Sequence, residues 1–182
     1  GHVTLGKVRN SPFYGWDNEY GVHEADVPAF EAATYLTSNG EFLEFVEAGG
    51  YRNRHHWSEE GWQWRDFQNC SQPAFWIKKP NGWHLRLMCE EVPMPWNWPV
   101  EVNYHEAKAF CNWKASETGL PIRLPTEDEW HRLHQTTGLP ASDPDDLWPA
   151  NLHLDHFASP CPVDRFRQGD FFDVVGNVWQ WT

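Results

Sequence analysis

Three pairs of histidines are the first residues whose spacing could do chemistry: His55-His56, His131-x-x-His134 and His153-x-x-His156. A metal centre needs about three protein ligands, each oriented by a neighbour. His131 and His134 stand i, i+3 on a predicted helix and could form two of three; a solvated helix edge has the same spacing. His153 and His156 fall in a loop. No HExxH or HxxxHxE run occurs, so no transition-metal motif is complete. The carboxylate clusters Glu59-Glu60, Glu90-Glu91 and Asp143 through Asp146 could perform acid–base work if their environments differed. They sit in stretches that read as exposed, which makes them solvated charge. No nucleophile elbow, P-loop or Gly-rich phosphate cradle is present. Oxygen donors suit a hard cation better. Asn177 follows Gly176 in a turn, and Asn151-Leu152 opens an Asp- and His-rich stretch. Calcium takes amide and backbone carbonyl oxygens together with carboxylates, so Asn151, Leu152 and Asn177 are candidate structural calcium ligands. The other reading of both asparagines is plain turn chemistry.

The elements that must position these residues announce themselves by their caps. Ser38-Asn39-Gly40-Glu41 is a capping box followed by Phe42, Phe45 and Val46 at helical spacing, and Gly49-Gly50 stops the helix. Asn103-Tyr104-His105-Glu106 repeats the pattern, with Ala107, Phe110 and Cys111 as the apolar stripe and Gly119 and Pro121 at the exit. Thr126-Glu127-Asp128-Glu129 opens a third helix, with Trp130 and Leu133 facing inward. All three are expected to be short, about three turns. His84 through Met88 alternates as a half-buried strand would. Trp62-Gln63-Trp64, Trp96-Asn97-Trp98 and Trp179-Gln180-Trp181 share one spacing; strand pieces and loop aromatics both fit the first two. The last, after the Gly176-Asn177 turn, is expected to be a buried strand with both indoles on one face. Residues 139–163 read as one long structured loop. Helices mix with short strands without βαβ alternation, which gives an α+β class.

With 182 residues the chain fits a single domain, and its aromatic load is unusual: 13 Trp, 11 Phe and 5 Tyr beside 2 Met. Indoles bury much area but carry an N–H that needs a partner, so the core should be mixed with polar groups and irregular loops. A net charge of −12 argues against a nucleic-acid groove or an anionic membrane surface. No apolar run approaches a membrane span. Cys70, Cys89, Cys111 and Cys161 show neither CxxC nor finger spacing and read as reduced, mostly buried thiols of a cytoplasmic protein. The chain begins without Met and stops on aromatic residues, which predicts a domain covering 1–182 and truncated at both ends.

Four segments together resemble one family. Ser38-Asn39-Gly40-Glu41-Phe42-x-x-Phe45-Val46-x-x-Gly49-Gly50-Tyr51, Pro99-Val100-x-Val102-x-x-x-Glu106-Ala107-x-Ala109-Phe110-Cys111-x-Trp113 and Arg123-Leu124-Pro125-Thr126-Glu127-x-Glu129-Trp130 are spaced as in the formylglycine-generating-enzyme (sulfatase-modifying factor) domain. Gly176-Asn177-Val178-Trp179-Gln180-Trp181 is similar to its fourth signature. The resemblance implies an irregular, Trp-rich, C-type-lectin-like α+β fold of short helices and short antiparallel strands, often stapled by calcium. Pro12-Phe13-Tyr14-Gly15-Trp16-Asp17-Asn18-Glu19-Tyr20-Gly21 resembles the branch formed by the non-heme iron sulfoxide synthases, on the side of the ovothiol enzymes, and Glu59-Glu60-Gly61-Trp62-Gln63-Trp64 is more similar to the synthases than to the formylglycine enzymes.

That branch implies O2-dependent joining of cysteine to histidine with oxidation of the sulfur at Fe(II). The resemblance places the three iron-binding histidines in a preceding helical-bundle domain, and the catalytic Tyr and substrate-carboxylate-binding residues beyond Thr182. It places the copper-binding cysteine pair of the formylglycine enzymes there too; neither Cys111 nor Cys161 matches it. No catalytic residue and no iron ligand is therefore expected within 1–182, and the segment alone is expected to be inactive. Two other readings stay open: a sister synthase acting on trimethylhistidine for ergothioneine, and a non-catalytic lectin-like binding module.

Overall fold

The computed structural model describes residues 1–11, 14–139, 149–154 and 156–182. Strands β1 (His2–Leu5) and β2 (His23–Asp26) pair antiparallel, with Val3 opposite Ala25. Helices α1 (Asn39–Glu47) and α2 (Glu59–Gln68) follow, then a three-stranded antiparallel sheet of β3 (Trp76–Lys79), β4 (Gly82–Arg86) and β5 (Glu91–Pro93). Helices α3 (Tyr104–Thr118) and α4 (Glu127–Thr137) lead into β6 (Arg167–Gln168) and β7 (Phe171–Phe172), a two-residue antiparallel pair.

The three capping boxes form as the sequence predicts. Ser38, Asn103 and Thr126 each accept from the backbone N–H three residues on, and Glu41, Glu106 and Glu129 return the bond. Gly119 and Gly138 end α3 and α4 in the left-handed conformation. Helix α3 is longer than expected, 15 residues rather than about three turns. Helix α2 is the missed element: Trp62 and Trp64 lie on it rather than on a strand or loop. Its cap, Ser58 accepting from Gly61, lacks the returning Glu that marks the other three. Strand β4 also departs from strict alternation, since adjacent His84 and Leu85 are both buried.

The main core gathers α1, α2, α3 and the sheet around aromatic rings. Phe45 is its hub, fully buried and within 5.3–6.5 Å, centroid to centroid, of Phe42, Tyr51, Trp57, Phe110 and Trp113. Gly50 must be glycine here: a Cβ would lie 2.0 Å from the Phe45 ring. The indoles find partners as expected, Trp57 donating to the Gly50 carbonyl and Trp76 to the Asn39 amide oxygen. Val3, Leu5 and Val27 form a smaller cluster, and α4 packs on β1.

The terminal segment differs from the sequence expectation. Gly176–Thr182 forms no strand, Trp179 is 99% exposed and Trp181 is 46% exposed. Their opposite fates follow from anchoring: Trp181 donates to the Val102 carbonyl at 2.9 Å and meets Tyr104 edge-on, whereas neighbouring Trp179 projects outward. No helix among the described residues is long and apolar enough to cross a membrane.

Candidate functional site

Two features bring polar side chains together. The first is a junction closed by side-chain amides after α4. Asn177 sits at φ +66° behind Gly176 at +90°, the positive-φ pair that the sequence signals. A Cβ on Gly176 would come within 3.0 Å of Asn151's carbonyl oxygen, so glycine lets the two loops meet. Asn177 Oδ1 accepts from the Cys161 N–H (2.9 Å) and from Asn151 Nδ2 (3.4 Å). Its Nδ2 donates to the Cys161 carbonyl (3.1 Å) and to Asp173 Oδ2 (3.0 Å). Asn151 Nδ2 also donates to the Ser159 carbonyl, and the Asn151 carbonyl accepts the Asn177 N–H. Two glutamines extend the network. Gln168 bridges the Pro149 and Val175 carbonyls and the Val175 N–H, and Gln180 donates to the carbonyls of Asp173 and Val174.

Asp173 is the unusual member. It is 0% exposed with φ +50°, and its Oδ1 has no hydrogen-bond partner among the described residues. Burial pushes its carboxyl up to about 6, with the Asn177 bond opposing and the Asp164 charge adding. Burial and the Asp173 charge likewise push the Cys161 thiol up to about 11, which keeps it protonated and unreactive at neutral pH. The structure thus brings the predicted Asn151 and Asn177 side chains together, with half-buried Leu152 next in the chain. A hard cation would find one orphaned carboxylate oxygen here and several backbone carbonyls, a donor set of the kind calcium takes. The Asn177 amide oxygen, as oriented, is already occupied by N–H donors. Asp173 and Gln168 were not singled out by sequence, because each lies in a stretch without periodicity, and Gln180 was passed over as the spacer between two tryptophans.

The second feature is a cleft of about 560 Å³ between α3 and the start of α4, lined by Tyr104, Lys108, Cys111, Leu124, Pro125 and Glu127 among others. Arg123 on its wall is spent on Glu129, with Nη1–Oε2 2.7 Å and Nη2–Oε1 2.6 Å. This fork, with backbone bonds from Thr126, holds Glu129 down to about 2. Lys108 Nζ lies over the Tyr104 ring at 5.6 Å. Cys111 is buried and its thiol pushed up to about 11, core rather than nucleophile.

The histidine pairs do not converge. His134 is buried, stacked on Trp130 at 5.5 Å, and burial lowers its pKa; His55 and His56 lie in the 3₁₀ turn Arg54–His56. Among the described residues no three His, Cys, Asp or Glu side chains are placed to hold a metal ion. Glu59, Glu60, Glu90 and Glu91 are exposed, Glu91 paired with Lys79 at 2.7 Å. Asp143–Asp146, and Pro12 and Phe13 of the opening signature, lie outside the described residues. All four cysteines are free.

This arrangement, with four signatures on α1, α3, α4 and the amide junction, coincides with one family. The Sulfatase-modifying factor enzyme 1-like domain matches residues 1–182. The chain belongs to that family. Its irregular α+β architecture is the C-type-lectin-like fold of the sulfatase-modifying-factor domain. The chain is 35% identical to a hercynine oxygenase of Mycolicibacterium thermoresistibile, over 93% of its own length and 39% of the relative's. It is 32% identical to the hercynine oxygenase of Mycobacterium tuberculosis, over 91% and 40%. The formylglycine-generating enzyme of Bos taurus matches at 26%, over 100% and 55%. The chain thus spans about two fifths of the length of the hercynine oxygenases it matches.

Proposed function

We propose that this domain is the scaffold and substrate-pocket part of an Fe(II)- and O2-dependent sulfoxide synthase that joins cysteine to histidine, as in ovothiol biosynthesis. The observation that carries the oxygenase class is the 35% identity to a hercynine oxygenase across nearly the whole chain. The reaction balances as one C–H and one S–H bond replaced by a C–S bond and an S=O group, with O2 reduced to that oxygen and one water. Iron, when bound by residues of the preceding helical-bundle domain, would supply the activation of O2. The residues of this chain would wall the site and hold its loops, through the amide junction and the caps of α3 and α4. The reading puts the protein in the cytoplasm, where four unpaired thiols stay reduced.

The choice of histidine rests on the resemblance of the opening segment 12–21; Glu59 through Trp64 bears only on the synthase class. A second reading takes hercynine, the trimethylated betaine of histidine, and the names of the matched relatives favour it. Product analysis on the intact protein with Fe(II), O2 and cysteine separates them. A cysteine adduct with histidine and little with hercynine supports the first reading; the reverse supports the second. No adduct with either, together with no iron bound, favours a binding module that does no chemistry.

The calcium role of Asn151, Leu152 and Asn177 is a further part of this proposal, supported by the orphaned Asp173 Oδ1 beside Asn177. Calcium should raise the Tm and a chelator lower it. Identical melting curves in both would remove the ion from the account.

A further inference from the structure

Asparagine followed by glycine is a dipeptide prone to rearrange, because no side chain on the second residue shields its nitrogen. The chain holds two, Asn39-Gly40 and Asn81-Gly82, and the fold treats them oppositely. Asn39 is fully buried at the start of α1. Its Nδ2 donates to the Pro95 carbonyl at 3.0 Å, and its Oδ1 accepts from the Trp76 indole at 3.2 Å. The Gly40 N–H, whose nitrogen would be the nucleophile, donates to the Trp96 carbonyl at 2.8 Å. Both reacting groups are thus bound, and they meet only if the first turn of α1 opens.

Asn81 has none of these restraints. It is exposed at the tip of the β3–β4 hairpin, in the turn Pro80-Asn81 between the paired residues Lys79 and Gly82. Its side-chain amide has no hydrogen-bond partner among the described residues. Gly82 sits at φ +120°, and beyond its chain neighbours no atom lies within 4 Å of where a Cβ would stand. It also belongs to the end pair of the ladder, where opening is easiest.

We infer that Asn81-Gly82 is a site of spontaneous deamidation through a cyclic imide, and that the fold keeps Asn39-Gly40 from the same reaction. The Gly82 nitrogen attacks Asn81 Cγ, and its proton leaves with the side-chain amide as ammonia. Water then opens the imide at either carbonyl, giving aspartate or isoaspartate. One water is consumed and one ammonia released; nothing is oxidised or reduced. The product adds a negative charge beside Lys78 and Lys79, and the isoaspartyl form lengthens the main chain by a methylene. That lengthening displaces the Lys79–Gly82 pair and the adjoining Trp83, over whose ring Lys78 Nζ stands at 4.4 Å. The inference does not depend on the oxygenase reading.

The test is peptide mapping by mass spectrometry after incubating the intact protein at neutral pH and body temperature, folded and in denaturant. In the folded protein the Asn81 peptide should gain about 1 Da and separate into aspartyl and isoaspartyl forms. The Asn39 peptide should react about a hundredfold more slowly, since three hydrogen bonds must break first. In denaturant the two should react at similar rates, because the dipeptide is the same. Asn81→Gln should abolish the mass gain in its own peptide. The position is exposed, so an unchanged Tm is expected. No reaction at Asn81 in the folded protein, equal rates at both sites before unfolding, or aspartate without any isoaspartate would overturn the inference.

Discussion

The two halves of this domain are held by different physics. From α1 to α3 the chain is fastened by rings: Phe45 alone meets five other Phe, Tyr and Trp rings, and the indole N–H groups of Trp57 and Trp76 find a carbonyl and an amide. From residue 149 onward, only two strands of two residues each appear among the described residues, and four amide side chains do the fastening. Ring packing is non-directional and tolerates small shifts. An amide network fixes loops atom by atom, and it fails sharply when one member is lost. The proposed role would use both, a firm body and loops placed to within hydrogen-bond tolerance.

The largest expected effect breaks the first half. Phe45→Ala should cost about 3–5 kcal/mol in chemical denaturation, since a fully buried ring leaves a cavity that five neighbours cannot fill. A loss below about 1 kcal/mol would mean the ring cluster is not the body of the domain. Asn177→Ala comes next, at about 2–3 kcal/mol, because it leaves the Cys161 N–H and carbonyl and Asp173 Oδ2 without their partner. Its signature is regional. Hydrogen exchange should rise across 149–182 while α1 and α3 keep their protection; a uniform rise would erase the contrast between the halves.

Acidity sharpens the contrast further, because two carboxyls respond with opposite sign. Asp173, raised from an ordinary 3.8 to about 6, favours the folded state when protonated. Its contribution is present below the ordinary value and lost as pH rises through about 6. Glu129, held down to about 2 from an ordinary 4.5 by Arg123, contributes above the ordinary value and is lost as pH falls toward 2. Between pH 4 and 6 the loops of 149–182 should therefore loosen with rising pH, and Asp173→Asn should flatten that slope without touching the acid limb. Melting curves of both proteins across pH 2–7 read this directly. The smallest effect belongs to Trp179→Ala: with the indole 99% exposed, stability should change by less than about 0.5 kcal/mol.

The same division explains what was legible beforehand. Caps are local, so Ser38, Asn103 and Thr126 marked three helices correctly. Helix α2 was hidden because Gly61 stands where the other boxes place Glu, and because its Trp spacing mimics a strand. Glu106 and Glu129 are the same residue in the same motif position, yet their surroundings differ wholly. Glu106 is buried against the Tyr51 hydroxyl at 2.5 Å, which with its burial raises the Tyr51 pKa, while burial raises its own. Glu129 faces a guanidinium. The partner in each case lies outside the motif, where local reading does not reach. Asn151 and Asn177 were legible as turn residues; the Asp173 that accepts from Asn177 was not, since it comes from a non-periodic stretch and from tertiary contact alone. Trp179 and Trp181 were misplaced for a related reason: a spacing of two says that side chains share a face only if the backbone is extended.

The central claim, an O2-dependent synthase domain acting at sulfur, is tested most directly by oxygen-isotope labelling. The intact protein with Fe(II), cysteine and histidine or hercynine, under 18O2, should yield a C–S-linked product carrying one labelled oxygen on sulfur. A product whose oxygen comes from water, or the absence of any sulfur–imidazole adduct from an iron-loaded protein, would contradict the account.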